Sequence, residues 1–353
     1  MKFVSPLLKQ IVYPSLASSG YLRARSNNGN LCVITYHGVV PPGYEVEDPD
    51  QDGALVSIEQ FRLQLRLLKS RYHVVSPAEV LAWAEEGREL PRRSVLLTCD
   101  DGLLNTLTDM APVLRDEKLS CLFFVLSTSA EPSSRKLWYD ELYLLLLAAP
   151  SGVFSFETLG MTIELKERRQ RRRVWGDLSK RLSALDQPER ARFVEVARVQ
   201  LGLDPEWGEG FEGSEAQRRR FSLLNLNELK QLVDQGMCVG SHTISHPVLS
   251  QQSPELAWRE ISESKRILEN VLGTRVWALA YPYGDPASVA SREWKMAEQA
   301  GFACAFMNVD GGFGAALPRF ALPRVHVTAD MGLAELEAHV SGFYNALRAR
   351  LFR

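Results

Sequence analysis

The sequence predicts an α/β protein of repeated strand-helix units around a parallel sheet or barrel. Three observations carry this expectation. Short runs rich in Val, Ile, Leu, Phe and Cys alternate with longer stretches of helical periodicity. Several helical stretches open on a capping hydroxyl followed by Pro or Glu, and end on glycine. The residues best suited to chemistry fall repeatedly just beyond the apolar runs, where active sites gather in parallel βα architectures.

The runs read as strands are Leu31 to Tyr36, Tyr72 to Val75, Ser94 to Cys99, Ser120 to Leu126, Met237 to Ser241, Val276 to Tyr281, Phe302 to Met307 and Leu322 to Val327. Between them the periodicity predicts helices over Ile58 to Ser70, Pro77 to Glu86, Thr106 to Glu117, Leu226 to Gln235, Pro254 to Leu272 and Arg292 to Ala300. Ser57, Ser76 and Ser253 each stand one residue before such a helix, where an Oγ can accept from first-turn amides. Pro77 and Pro254 then occupy the first helical position, whose amide would have no intrahelical partner. Gly236, Gly273 and Gly301 sit where helices should stop.

The alternation breaks between Glu131 and Leu224. That stretch holds a Leu-rich helix (Tyr139 to Ala149), a basic segment (Lys166 to Arg173), a second helix (Gln187 to Leu201) and the polar run Gly208 to Arg220. It reads as a helical insertion or cap over residues 131–224. The domain itself is then residues 31–130 and 225–330, between an N-terminal helical extension (1–30) and a C-terminal helix (331–353). The Arg-rich run Arg168 to Arg173 is expected to be a solvated helix face balanced by nearby Glu.

The 353 residues, 45% hydrophobic and 24% charged, suffice for one large domain with an insertion. Against 43 acidic residues stand 41 basic ones, a net charge of -2, which recommends no nucleic-acid partner. The five cysteines are odd in number, form no C-x-x-C pair and fall mostly in apolar runs, so they read as reduced core thiols. Met1 to Ser19 carries Lys2 and Lys9 but no apolar stretch of signal-peptide length, and no run reaches transmembrane length. The expected location is cytoplasmic, with peripheral contact to the inner face of the membrane left open by the N-terminal segment.

Two motifs concentrate the chemistry. Asp100-Asp101-Gly102 ends the apolar run Leu96-Leu97-Thr98-Cys99, and burying two adjacent carboxylates makes sense only beside something cationic. His242-Thr243-Ile244-Ser245-His246 follows another apolar run and offers two imidazoles at i and i+4. Together they suggest a His-His-Asp metal site with a spare carboxylate as base. Tyr36-His37-Gly38, Tyr281-Pro282-Tyr283-Gly284 and the pair Arg324 and His326 occupy equivalent positions on other strands. Four of the six histidines are therefore placed to converge on one mouth, while His73 and His339 read as ordinary surface or core residues.

The ordered combination resembles the polysaccharide deacetylase family, carbohydrate esterase family four, in three motifs: Thr98-Cys99-Asp100-Asp101-Gly102, His242 to His246, and the aromatic-Pro-Tyr-Gly turn Tyr281 to Gly284. The resemblance runs from Cys32 to Val327 apart from the insertion and implies a distorted (β/α)7 barrel. It also implies Asp100 as general base and Asp101, His242 and His246 as ligands of a divalent metal, zinc by default, with cobalt, nickel or iron also compatible. In the implied reaction Asp100 takes a proton from a water activated at the metal, and the N-acetyl carbonyl is attacked. The metal and the Tyr283 backbone N–H stabilise the oxyanion. A general acid then protonates the leaving amine, which is too basic to depart as an anion.

Two features depart from the family pattern. The Arg that precedes the turn in many members, and orients the base, is Ala280 here; Arg324 is the candidate to supply that charge from the last strand. His37 and His326 are the two candidate acids. Tyr36-His37-Gly38 resembles the subgroup acting on exopolysaccharides and surface glycans, in which an early His is the acid, so His37 is preferred.

Other residues carry milder expectations. Trp138, Tyr139 and Asp140 could stack on and hydrogen-bond to a sugar, or anchor the insertion, which is favoured for Trp138. Thr243 and Ser245 are expected to hold the His loop, and Asn105 to cap the helix after it.

The expected activity is hydrolysis of N-acetyl groups on amino sugars of a polysaccharide, oligosaccharide or lipid-linked glycan precursor. The alternatives are an O-acetyl esterase or deformylase acting on a glycolipid, and an inactive carbohydrate-binding relative. Retention of Asp100 with all three ligand positions argues against the last; Ala280 argues for it.

Overall fold

The computed structural model describes residues 6–26, 31–46, 48, 51–131, 135–207, 214–312 and 318–351. Its strands in chain order are β1 (Leu31–Tyr36), β2 (His73–Val75), β3 (Ser94–Cys99), β4 (Leu122–Val125), β5 (Gly152–Phe156), β6 (Met161–Leu165), β7 (Cys238–Ser241), β8 (Ala278–Ala280), β9 (Cys304–Phe306) and β10 (Val325–His326). The main sheet is parallel throughout, in the order β10-β1-β3-β4-β7-β8-β9, with β2 on β3. One edge of β3 is shared: Ser94–Leu96 pair with β2 and Thr98–Cys99 with β4. The ends of the sheet meet through a short seam, in which Phe306 bridges Leu322 and the Met307 amide donates to Leu322 O at 2.8 Å. The architecture is a distorted seven-stave (β/α) barrel.

Side chains alternate along each strand. Val33, Leu96, Phe124, Ala280 and Phe306 pack with one another, and with Val80 from a helix below, as one cluster. Ile34, Leu97, Phe123, Leu279 and Ala305 belong to the larger cluster shared with the surrounding helices. Both faces are buried, as a parallel sheet requires. The run Leu322 to Val327 does not form one continuous strand. Pro323 lacks a donor, and the ladder is reduced to the Leu322 bridge and the two residues of β10.

The helices are α1 (Tyr13–Ser18), α2 (Tyr21–Arg25), α3 (Ile58–Arg71), α4 (Pro77–Glu86), α5 (Ala111–Asp116), α6 (Trp138–Ala148), α7 (Arg168–Leu182), α8 (Gln187–Gln200), α9 (Glu215–Phe221), α10 (Leu226–Asp234), α11 (Pro254–Leu272), α12 (Ser291–Gln299), α13 (Leu333–Val340) and α14 (Phe343–Leu351). Ser57 Oγ accepts from the Gln60 amide, Ser76 and Glu79 form a reciprocal capping box, and Ser253 Oγ accepts from Leu256 N. The stretch read as one helix from Thr106 starts with a wide π turn, Thr106–Met110, before α5. Asn105 does not cap it: its side chain is fully buried with both polar atoms unpartnered among the described residues. The C-terminal segment is two helices, broken at Ser341-Gly342, where Gly342 takes φ +70°.

The segment between β4 and β7 is not purely helical. It includes the antiparallel hairpin β5–β6 alongside α6, α7 and α8. Leu142, Leu145, Phe156, Ile163, Leu182 and Phe193 give it a core of its own. Part of the polar run before Arg220, residues 208–213, lies outside the described residues. Arg171 is buried rather than solvated: its guanidinium donates to the carbonyls of Leu146 (2.5 Å) and Ala149 (2.7 Å), capping the C-terminal end of α6.

Candidate metal centre and active site

The residues singled out from the motifs stand mostly beyond the carboxyl ends of strands. His37 follows β1, Asp100 and Asp101 follow β3, His242 follows β7, and Tyr281 to Gly284 follow β8. Ladder hydrogen bonds continue just past the strand ends and fix these positions: Asp100 N donates to Tyr36 O (2.9 Å) and His242 N to Val125 O (2.8 Å). Of the six described non-glycine residues with left-handed φ, four are here: Asp101, Thr243, His246 and Tyr283. Backbone strain of this kind persists only where the surroundings over-determine it, and it clusters at functional sites. Gly102 also needs its left-handed φ of +73°, and a Cβ there would lie 2.9 Å from Val125 Cγ1.

Asp101, His242 and His246 converge, with one potential ligand atom from each lying within 4.8 Å of the others. Asp101 Oδ1 is 3.5 Å from Nε2 of both histidines. All three are buried. His242 Nδ1 lies 2.8 Å from the Ala280 carbonyl, which can only accept, so Nδ1 carries the proton and the Nε2 lone pair is free to face Asp101. Two imidazoles and one carboxylate on one point are the donor set of a divalent transition-metal site with an open position.

The electrostatics fit a cation. Burial favours a neutral Asp101, but the imidazoles of His242, His37 and His246 outweigh it and hold the carboxyl below the ordinary range. Burial and the neighbouring His242 push His246 down to about 3. His242 moves the other way: against its burial, the adjoining Asp101 and Asp100 raise it.

Asp100 does not join this cluster; Arg324 grips it. Nη1 donates to Oδ1 at 2.7 Å and Nη2 to Oδ2 at 2.6 Å, both groups being buried. Arg324 Nε donates to Met307 O (3.0 Å) and Nη1 also to Thr35 Oγ1 (3.1 Å), which fixes the fork. Burial alone would raise the Asp100 carboxyl, but the Arg324 charge and its hydrogen bonds, with His242, keep it lowered and therefore ionised. The cation that the buried Asp pair calls for is thus supplied at Asp100 by Arg324, from β10's side of the ring.

The His37 and His326 rings pack at a tilt of 53°, with centroids 4.7 Å apart. His37 Nδ1 and His326 Nε2 are buried without partners among the described residues. Tyr283 takes φ +60°, no described residue accepts its amide proton, and its ring lies 4.9 Å from that of His246. A Cβ at Gly284 would collide with Asn308 N, which explains glycine after Tyr283. Over these groups opens a cleft of about 430 Å3, lined by His37, Asp100 and Tyr283 on the barrel side and by Trp175 and Lys180 of α7 on the other.

The insertion touches the site more closely than its sequence indicates. Trp138 Nε1 donates to His246 O at 3.2 Å, which makes Trp138 an anchor, and the Tyr139 ring packs on His246. Asp140 is not available to a sugar: it is buried and paired with Arg220 at 3.1 Å, which also binds Asp52 at 2.6 Å. Thr243 Oγ1 accepts from His246 N (3.2 Å), and Ser245 Oγ donates to Glu260 Oε1 (2.7 Å). Glu260 also accepts from the Ile244 and Ser245 amides. Glu260 and Arg190, which reaches Ser245 from α8, give no signal in the sequence, because each lies on a helix far from the motif it supports.

Residues 213–305 match the family model for polysaccharide deacetylase. Over that stretch the chain is similar to polysaccharide deacetylases. The match takes in His242, His246 and the Tyr281 turn, while Asp100 and Asp101 lie ahead of it, beyond the insertion. YxkH of Bacillus subtilis (strain 168), a protein named as a polysaccharide deacetylase, is 25% identical over 117 residues, 33% of this chain and 41% of that protein. The match thus spans less than half the length of that relative. The Streptococcus pyogenes deacetylase PplD superposes with a TM-score of 0.54 at 17% identity, over 88% of this chain and 97% of the other. IcaB from Ammonifex degensii gives 0.54 at 19% identity, over 89% and 97%. These likenesses establish that the deacetylase relatives and this chain share the (β/α) barrel fold.

Proposed function

We propose that the protein is a metal-dependent hydrolase that removes the acetyl group from N-acetylated amino sugars of a glycan. The observation that carries this reading is the pairing of a three-donor cluster, Asp101, His242 and His246, with a separate ionised carboxylate, Asp100, at one cleft. A binding module has no use for a base held ionised beside a metal site. Zinc suits two imidazoles and a carboxylate. Bound there, the metal would supply Lewis acidity to the carbonyl and lower the pKa of water.

The remaining roles belong to the chain. Asp100 accepts the proton of the attacking water, and Arg324 keeps it ionised and oriented for that step. The Tyr283 N–H, which has no acceptor among the described residues, donates to the oxygen that becomes negative. His37 lines the cleft and donates the proton that the departing amine needs. His326 packs behind His37, and burial together with the charges of His37 and Arg324 pushes it down to about 3, so it stays neutral and serves as a packing partner.

The test is to measure bound metal and the acetate released from N-acetylated oligosaccharides, before and after chelation. Release that needs the metal supports the reading. Stoichiometric metal with no acetate from any N- or O-acetyl substrate overturns it, and release from O-acetyl substrates alone makes the protein an esterase.

A further inference from the structure

Two consecutive carbonyl groups of the His loop are held from the insertion and not from the barrel. Ser245 O accepts from Arg190 Nη2 at 2.9 Å, and His246 O accepts from Trp138 Nε1 at 3.2 Å. The same Arg190 nitrogen donates to Ser245 Oγ at 2.8 Å, and that hydroxyl donates onward to Glu260 Oε1 at 2.7 Å. Arg190 is 2% exposed. Its guanidinium carbon sits 5.2 Å over the Trp138 ring, and Nη1 donates to Leu185 O at 3.1 Å, so both donors belong to one locked unit.

The residue between these contacts is in a costly conformation. His246 has φ +57°, a left-handed backbone that histidine pays to adopt, and its amide is tied to Thr243 Oγ1, itself on a residue at φ +68°. The Nδ1 of His246 has no partner among the described residues, unlike His242, whose Nδ1 faces Ala280 O. His242 is therefore oriented by a hydrogen bond at its own ring, whereas the His246 ring has only aromatic neighbours, Tyr139, Tyr283 and His242, and the hydrogen bonds that hold this residue run through its backbone. Thr243 and Glu260 hold the amides of that backbone, and Arg190 and Trp138 hold its two flanking peptide oxygens.

We infer that Arg190 and Trp138 are positioning residues for the metal ligand His246, so that the insertion is a working part of the metal centre. This inference rests on the metal-centre reading of Asp101, His242 and His246. Removing a group that orients a ligand typically costs metal affinity 10–100-fold.

The experiment measures metal affinity directly, by competition of the full-length protein against a chromophoric zinc chelator, with the cobalt(II) absorption spectrum as a second readout. Arg190→Met should weaken zinc binding by about 10–100-fold and change the cobalt d–d bands. Trp138→Phe, which deletes one N–H and keeps the ring, should weaken it by a smaller factor in the same direction. Arg190→Lys, which can keep one donor, should recover part of the loss. Arg198→Met is the control on the same helix: that side chain bonds Glu195 and Leu203 O, away from the His loop, and its loss should leave affinity and spectrum unchanged. Wild-type affinity and spectrum in both Arg190→Met and Trp138→Phe would overturn the inference. Should Arg190→Met fail to fold, Trp138→Phe decides alone. A wild-type protein that binds neither metal would instead overturn the metal-centre reading.

Discussion

The two walls of the cleft are held by different means. On the barrel wall, Asp100, Asp101, His242 and Tyr283 are placed by strand ends, through ladder hydrogen bonds and left-handed backbone. On the insertion wall, Trp138, Trp175 and Arg190 stand on helices that pack around a separate core and reach the site through long side chains. Register places the first set; side-chain reach places the second. Substitutions on the barrel wall should therefore abolish chemistry or metal, and those on the insertion wall should tune affinity or local stability.

The sharpest way to break that contrast is at the Asp pair's neighbours. Asp100→Asn should lower turnover by about 10²–10⁴-fold while the metal stays bound, because the base is lost and the ligands are not. His242→Ala should lose both metal and turnover, and normal metal content in that variant would show that the site is misassigned. Arg324→Met leaves the Asp100 carboxylate buried without its partner and should cost about 3–5 kcal/mol in urea unfolding. A cost below about 1 kcal/mol would mean that the pair is worth no more than an exposed ion pair.

Two smaller effects sharpen the comparison. His37→Ala should slow hydrolysis of an N-acetyl amide far more than that of an activated acetyl ester, since only the poor leaving group needs a proton. Equal losses on both would give His37 a binding role. On the insertion, Arg171→Met strips two hydrogen bonds from the buried end of α6 and should cost about 1–3 kcal/mol. Its folded fraction should retain wild-type metal content, because the hydrogen bonds of Arg171 all stay within the insertion, to Leu146, Ala149, Ser151 and Lys166; metal loss would show that the insertion's core and the metal centre are not separable.

The same division explains what could be read from the sequence. The strand ends were legible because apolar runs of strand length stop abruptly at unusual polar residues, so Asp100, His242 and Tyr283 announce both their position and their chemistry. Arg324 was legible only as a candidate, since nothing local says that a residue after Pro323 crosses the ring to meet Asp100. Arg190, Glu260 and Arg220 were not legible. Each acts through a contact that links residues far apart in the chain, and a helical Arg or Glu looks the same in sequence whether it is solvated or buried. Asp140 misleads for the same reason: its place beside Trp138 and Tyr139 suggests a sugar site, yet Arg220 claims it. The hairpin β5–β6 was hidden by an ordinary mix of residues, among which Val153 is exposed at 66% while Ile163 faces the insertion core.

The smallest expected effect concerns His326, and it tests whether the barrel wall contains a neutral partner for His37. Burial, reinforced by the charges of His37 and Arg324, depresses His326 from 6.5 to about 3. In the unfolded chain the imidazole binds its proton as the pH falls through 6.5; in the folded chain it does so only near 3. Across that window the unfolded state holds more protons, so stability rises with pH there. The contribution is fully present above 6.5 and is lost progressively as the pH falls towards 3. His326→Gln, compared with wild type with both proteins freed of metal, should have a shallower loss of unfolding free energy between pH 6.5 and 3. Above pH 7 the two curves should run parallel. A difference that stays constant through the whole acid range would mean that His326 titrates normally in the folded protein, and the neutral-partner role would then pass back to an open choice between the two histidines.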